Sequence, residues 1–243
     1  MSLTNNIQNL QNIIASLENK VISGDYDKGY NNGVEVGKQA EYDRFWDIYQ
    51  QGGTRSSYAH AFSGSWTDEI FKPKYNIIPS GPASQMFINT EIQNLSACLE
   101  NAGVILDTSM TTNFQYMFNY AKVTDVPNLD LTSATNINYM FNGCNSMKTA
   151  AVTFAENKVT NYTSVFSGCT DLEHFTATGV IDIPLSFASC GKLTEASVQS
   201  IIDHLKDLTG LESRTITFRA TVGEKLTEEQ KAAITAKNWT LAY

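Results

Sequence analysis

Hydrophobic positions follow three different rhythms along the chain. From residue 3 to 21 they keep a heptad: Leu3, Ile7, Leu10, Ile14, Leu17 and Val21 are separated by 4, 3, 4, 3 and 4 positions. Leu at d with Ile or Val at a is the seam of a parallel coiled coil. Those identities favour two strands, and Ile13 at a g position widens the stripe toward three. Three heptads are marginal for an isolated coil, so an amphipathic helix lying on the chain's own body is the alternative. Gly29, Gly33 and Gly37 then recur every four residues, and Tyr42, Phe45, Trp46 and Tyr49 form a helical stripe that reads as a packing face. Gly52-Gly53 ends this helix. Residues 52–85 hold Pro73, Pro79 and Pro82 beside Tyr58, Phe62, Trp66, Phe71 and Tyr75, too many aromatics for a flexible linker.

The second rhythm is a phrase that returns with drift. It reads Asn113-Phe114-Gln115-Tyr116-Met117-Phe118, then Asn136-Ile137-Asn138-Tyr139-Met140-Phe141, then Asn161-Tyr162-Thr163-Ser164-Val165-Phe166. A small residue follows three positions after each Phe: Ala121, Cys144, Cys169. The series extends to Leu99 with Ala102 upstream and to Phe187 with Cys190 downstream, at intervals of 19, 23, 25 and 21 residues. A period in the low twenties is the range of leucine-rich repeats. Each unit is predicted to add a short β run, near 123–126, 147–152 and 172–176, stacked into a small parallel sheet. One unit cannot bury its apolar side, and stacked neighbours can. Gly143 and Gly168 suit a turn that needs positive φ.

The third rhythm closes the chain. Val198, Ile201, Ile202, Leu205 and Leu208 predict a helix over 194–208; Arg214 to Ala220 alternates as a strand; Thr227 to Gln230 is a capping box opening a helix to about Lys237; Trp239 to Tyr243 returns as a strand. The expected fold class is therefore an α/β repeat: a short leucine-rich-repeat solenoid with an N-terminal coiled-coil helix and an α-β-α-β C-terminal cap. Its parts are a stem (1–51), an ordered connector (52–85), the repeat array (86–192) and the capping segment (193–243).

Composition narrows function. Charged residues make up only 17%, and the net charge is -8. An acidic chain lacks the basic footprint that phosphate backbones and anionic lipids attract, so nucleic acid is not an expected partner. No apolar run approaches the ~18 residues of a membrane span, and the start has no basic n-region or apolar h-region, so neither membrane insertion nor a secretory signal is expected. Cys144, Cys169 and Cys190 share one position in successive units and read as stacked buried thiols, with Cys98 in the core.

Little catalytic chemistry is legible. His60, His174 and His204 show no metal-ligand spacing, and Asp203, His204 and Asp207 lie together as charges on a helix flank. No nucleophile elbow, zinc motif or phosphate loop is present. The expectation is a protein that is not an enzyme and takes no cofactor or metal. A binding surface remains: Thr124, Asp125, Lys148, Thr149, Glu173 and His174 are the outward candidates on the strand face.

Met140-Phe141-Asn142-Gly143-Cys144-Asn145-Ser146-Met147 and Val165-Phe166-Ser167-Gly168-Cys169-Thr170-Asp171-Leu172 resemble the Phe-x-Gly-Cys-x-x-Leu phrase of the BspA-like leucine-rich repeats. Lys237 to Thr240 resembles the Lys-x-Trp-Thr ending that follows many of those arrays. The resemblance implies bacterial surface proteins, or phage and prophage proteins of gut bacteria. With the heptad stem, it leads to a virion component assembled in the host cytoplasm, a homo-oligomer (trimer or dimer) through its N-terminal helix, binding a host surface protein or glycan or another virion protein. A bacterial cell-surface adhesin and an internal scaffold are the alternatives.

Overall fold

A computed structural model describes residues 59–243. The heptad positions Leu3, Ile7, Leu10, Ile14, Leu17 and Val21 lie outside the described residues.

A single column of phenylalanine rings holds the described residues together. Phe62, Phe87, Phe118, Phe141, Phe166, Phe187 and Phe218 stack in that order. Successive ring centroids are 5.1, 5.0, 5.6, 5.5, 4.7 and 6.0 Å apart, and planes are inclined by at most 29°. All seven rings are buried. Phe71 and Trp66 meet the first rung edge-on, and Phe175 meets Phe166 and Phe187 edge-on. Each ring contributes roughly 1.5–3 kcal/mol of burial, plus the ring–ring term.

Backbone hydrogen bonds tie each coil to the next in fixed register. The amides of Phe114, Tyr116, Phe118 and Tyr120 donate to the carbonyls of Asn136, Asn138, Met140 and Asn142 at 2.7–3.0 Å. One coil later Ile137, Tyr139, Phe141 and Gly143 donate to Asn161, Thr163, Val165 and Ser167 at 2.7–3.0 Å. The preceding coil obeys the same rule, Phe87 donating to Met117 and Phe62 to Met86.

The geometry shifts one expectation. Leu99 is not a rung. It is buried on a helix, α1 (Leu95–Ala102), inserted between Phe87 and Phe118, and Phe87 takes the place in the column. Gly103, left-handed at φ 65°, ends α1.

The coils leave a three-stranded parallel sheet on one side: β1 (Leu129–Asp130), β2 (Thr149–Phe154) and β3 (His174–Gly179), in that order. Ala150, Val152 and Phe154 of β2 and Phe175 and Ala177 of β3 point inward, while Thr149, His174, Thr176 and Thr178 are exposed. In the second coil the strand of the sheet lies at 129–130, beyond the 123–126 run; Asp125 itself makes single bridges to Asn94 and Thr149.

The open edge of β3 is closed by α2 (Glu195–His204). Ser197 and Ser200 accept the β3 amides of Phe175 and Ala177 at 2.9 and 3.0 Å, and Ser197 donates to the carbonyl of Glu173. Two hydroxyls thus take the place of a further strand at an edge that would otherwise invite pairing. The helix stops at His204, earlier than the apolar spacing predicts. Leu205 bridges Ile181 instead, through Ile181 N–H to His204 C=O and Lys206 N–H to Ile181 C=O.

A second parallel sheet follows, of β4 (Ser186–Phe187), β5 (Arg214–Phe218) and β6 (Trp239–Ala242). A one-turn helix α3 (Ala220–Gly223) and α4 (Glu228–Ala236) connect β5 to β6. The Lys-x-Trp-Thr ending has a mechanical reason. Lys237 Nζ donates to the carbonyls of Ile202 and Asp203 at the end of α2, and Trp239 Nε1 donates to Lys206. Lys237 thereby satisfies acceptors that the end of a helix leaves open, and Trp239 pins the chain just beyond it.

Thr227 caps α4 reciprocally with Gln230, whose carboxamide also reaches Gln199 on α2. Thr227→Ala is expected to cost about 1 kcal/mol, read as a lower urea midpoint with unchanged slope.

Candidate functional site

The six strand-face candidates fall into one hydrogen-bonded row. Thr124 N–H donates to Gln93. Lys148 and Thr149 N–H donate to Thr124. Glu173 and His174 N–H donate to Lys148, and Thr194 N–H donates to Glu173, all at 2.7–3.2 Å. Thr149 and His174 are direct partners in the β2–β3 register.

Side chains in this row have different employments. Asp125 Oδ2 accepts the Ser96 N–H in the first turn of α1, and Thr124 Oγ1 donates to Gln93 C=O. Both are half-buried fasteners between coils. Glu173 is half-buried. Lys148, Thr149 and His174 are exposed. The part of the row open to a partner is therefore one cation, one hydroxyl and one imidazole on neighbouring strands.

The other histidines stand elsewhere. His60 is exposed in a left-handed turn at φ 58°, and His204 places Nδ1 2.8 Å from the Ser200 carbonyl. Asp207 accepts the Thr209 N–H, and the hydrogen bonding of Thr209 holds its carboxyl below the usual range. Asp203 accepts from Gln199. The geometry does not join these groups into an acid–base pair. Among the described residues no group of three or more His, Cys, Asp or Glu has metal-holding geometry, and no helix is long and apolar enough to cross a membrane.

The thiols form a second row beside the phenylalanine column. Cys144 Sγ donates to the Phe118 carbonyl at 2.8 Å and Cys169 Sγ to the Phe141 carbonyl at 3.1 Å; Cys190 Sγ lies 3.9 Å from the Phe166 carbonyl. All three are buried, and none is in a disulfide. Burial pushes Cys144 and Cys190 up from 9.0 to about 12, and Cys169 well above its ordinary value. A raised folded-state pKa stabilises the fold fully below pH ~9, and that stability is lost as pH rises toward ~12. Between pH 9 and 11 the stability of the native protein is therefore expected to fall more steeply than that of Cys144→Ala. The excess slope approaches ~1.4 kcal/mol per pH unit, measured by urea unfolding at stepped pH.

Residues 82–181 match a family model described as "Mycoplasma protein of unknown function, DUF285". The matched segment begins at the coil of Phe87 and ends where Ile181 pairs with the end of α2. It contains the row from Thr124 to His174 and the rungs from Phe87 to Phe166. No curated protein and no solved structure matches the chain.

Sequence reasoning missed the left-handed positions. Two residues before each of the first five Phe rungs the backbone has positive φ: His60, Gln85, Tyr116, Tyr139, Ser164, at 52–60°. Two residues after each of those rungs the same holds for Gly64, Asn89, Tyr120, Gly143 and Gly168. Only the glycines announce this conformation in sequence. The rest hold it because the inter-coil hydrogen bonds on either side over-determine the turn.

Proposed function

We propose that the chain is a non-catalytic binding module: a short leucine-rich-repeat solenoid of the BspA-like kind, carried on a homo-oligomeric stem and belonging to a phage or prophage particle. Its ligand is a host surface protein or glycan, or another virion protein. The observation that supports this reading is the row itself. A continuous buried core fixes the register of successive coils, and Lys148, Thr149 and His174 lie exposed side by side on it. Repeat arrays present ligands with such rows.

The resemblance of the Phe141 and Phe166 phrases to the BspA-like repeats supports a second reading, a bacterial cell-surface adhesin. The neighbouring genes separate the two: tail and lysis genes accompany a particle component, and anchoring or secretion genes accompany an adhesin.

Two measurements test the proposal. Light scattering of the full chain at micromolar concentration is expected to give a dimer or trimer mass; a monomer removes the stem. In a pull-down on bacterial envelopes, the wild-type chain is expected to be retained. The variant Lys148→Glu/His174→Ala is expected to lose at least tenfold in retention, which corresponds to about 1.4 kcal/mol. Equal retention of both excludes the row.

A further inference from the structure

The strand side of the coils carries charge, and the turns from Phe87 to Phe166 carry none. Segments 75–90, 108–121, 131–147 and 159–170 contain no Asp, Glu, Lys, Arg or His. These four segments include the turns around Phe87, Phe118, Phe141 and Phe166. The charges sit between them, from Lys122 to Asp130, Lys148 to Lys158 and Asp171 to Asp182. The surface left on the turns is made of Tyr, Asn, Gln, Ser and Thr.

Three tyrosines make that surface more than solvated polypeptide. Tyr116 and Tyr139, at equivalent left-handed positions, stack with centroids 4.9 Å apart and planes 6° from parallel. The next position in that column is Ser164, too short to cover a ring. Tyr120 lies against the backbone of Gly143: a Cβ built on Gly143 would meet its Cδ1 at 2.4 Å. Yet Tyr120 is 59% exposed. One side of the ring is therefore seated on a glycine and the other is open. Asn119, the residue before Tyr120 in the chain, is only 8% exposed and turns no polar surface to this face.

We propose that this turn face, centred on Tyr116, Tyr120 and Tyr139, is a binding site for an uncharged glycan. The C–H face of a pyranose packs on the open side of Tyr120. The 4.9 Å step between coils is close to the length of one sugar residue in a chain. Neutral carboxamides and hydroxyls answer neutral sugar hydroxyls without leaving a charge unpaired. A sulfated or uronic-acid polymer finds no cation here. The inference rests on the reading of the chain as a binding module, and it names a different face and a ligand class.

The test titrates the full chain with cello-, malto-, laminari- and chitohexaose and with a heparin hexasaccharide, by calorimetry at 0.1 and 0.5 M NaCl. At least one neutral hexasaccharide is expected to bind with an affinity unchanged by salt, since no ion pairs are involved. Tyr120→Ala is expected to weaken it at least tenfold and Tyr120→Phe less than threefold. Circular dichroism verifies that each variant is folded, and Tyr139→Ala supplies an independent probe. Three results overturn the proposal: no neutral sugar binds, heparin alone binds, or Tyr120→Ala and Tyr139→Ala both bind as wild type does. If the sugars fail while bacterial envelopes still retain the chain, the glycan site falls and the binding-module reading stands.

Discussion

Replacing Phe141 with Ala is expected to remove about 3–5 kcal/mol of stability. Phe141 is fully buried, with a ring stacked on each side: Phe118 at 5.6 Å and Phe166 at 5.5 Å. Truncation therefore forfeits the transfer term and two ring contacts, and leaves a gap that the backbone cannot close. The amides of Phe118 and Gly143, bonded to the coils on either side, hold the spacing. Phe141→Leu keeps most of the volume and is expected to lose less than half as much. Equilibrium urea unfolding of the full chain, with slope and midpoint fitted separately, measures both.

Gly179→Ala is the second large effect, and it arises from the backbone. Gly179 ends β3 at φ 74° and is the register partner of Phe154 at the end of β2. A Cβ at this position would stand 1.9 Å from the Phe154 carbonyl oxygen. No rotamer relieves a clash with main chain, so the ends of β2 and β3 must part. The expected cost is roughly 2–4 kcal/mol, combining left-handed strain with the displaced pairing. Gly210→Ala is the control. It has a similar φ of 78° and nothing within 4 Å of the added Cβ, so only the conformational penalty of about 1 kcal/mol applies. Equal losses at the two sites would show that the clash at Gly179 is relieved by a small shift.

Much of the core could be read from the chain because one residue type marks it. Phe118, Phe141, Phe166 and Phe187 recur with a small residue three places on, and they occupy consecutive rungs. Phe62 and Phe87 escaped, since α1 lengthens the interval from Phe87 to Phe118 and Leu99 offers a false rung at a plausible spacing. Helix α2 reads four residues too long, because the apolar period of Leu205 and Leu208 is blind to the carbonyl of Ile181 that recruits Lys206. The candidate row was legible as positions and not as employment. Asp125 looks the same in sequence whether it faces a ligand or holds Ser96. The tyrosine face was harder still, because Tyr116, Tyr120 and Tyr139 adopt a backbone conformation that their side chains do not advertise.

A double-mutant cycle at Phe118 and Phe141 tests the stacked column most directly. The two rings are 5.6 Å apart and 16° from parallel. Unfolding free energies of wild type, Phe118→Ala, Phe141→Ala and the double variant are expected to give a coupling of about 0.5–1.5 kcal/mol. The same cycle between Phe87 and Phe187, several coils apart, is expected to be additive within ~0.5 kcal/mol. Additivity at Phe118 and Phe141 would contradict the column, and with it the register that sets both candidate faces.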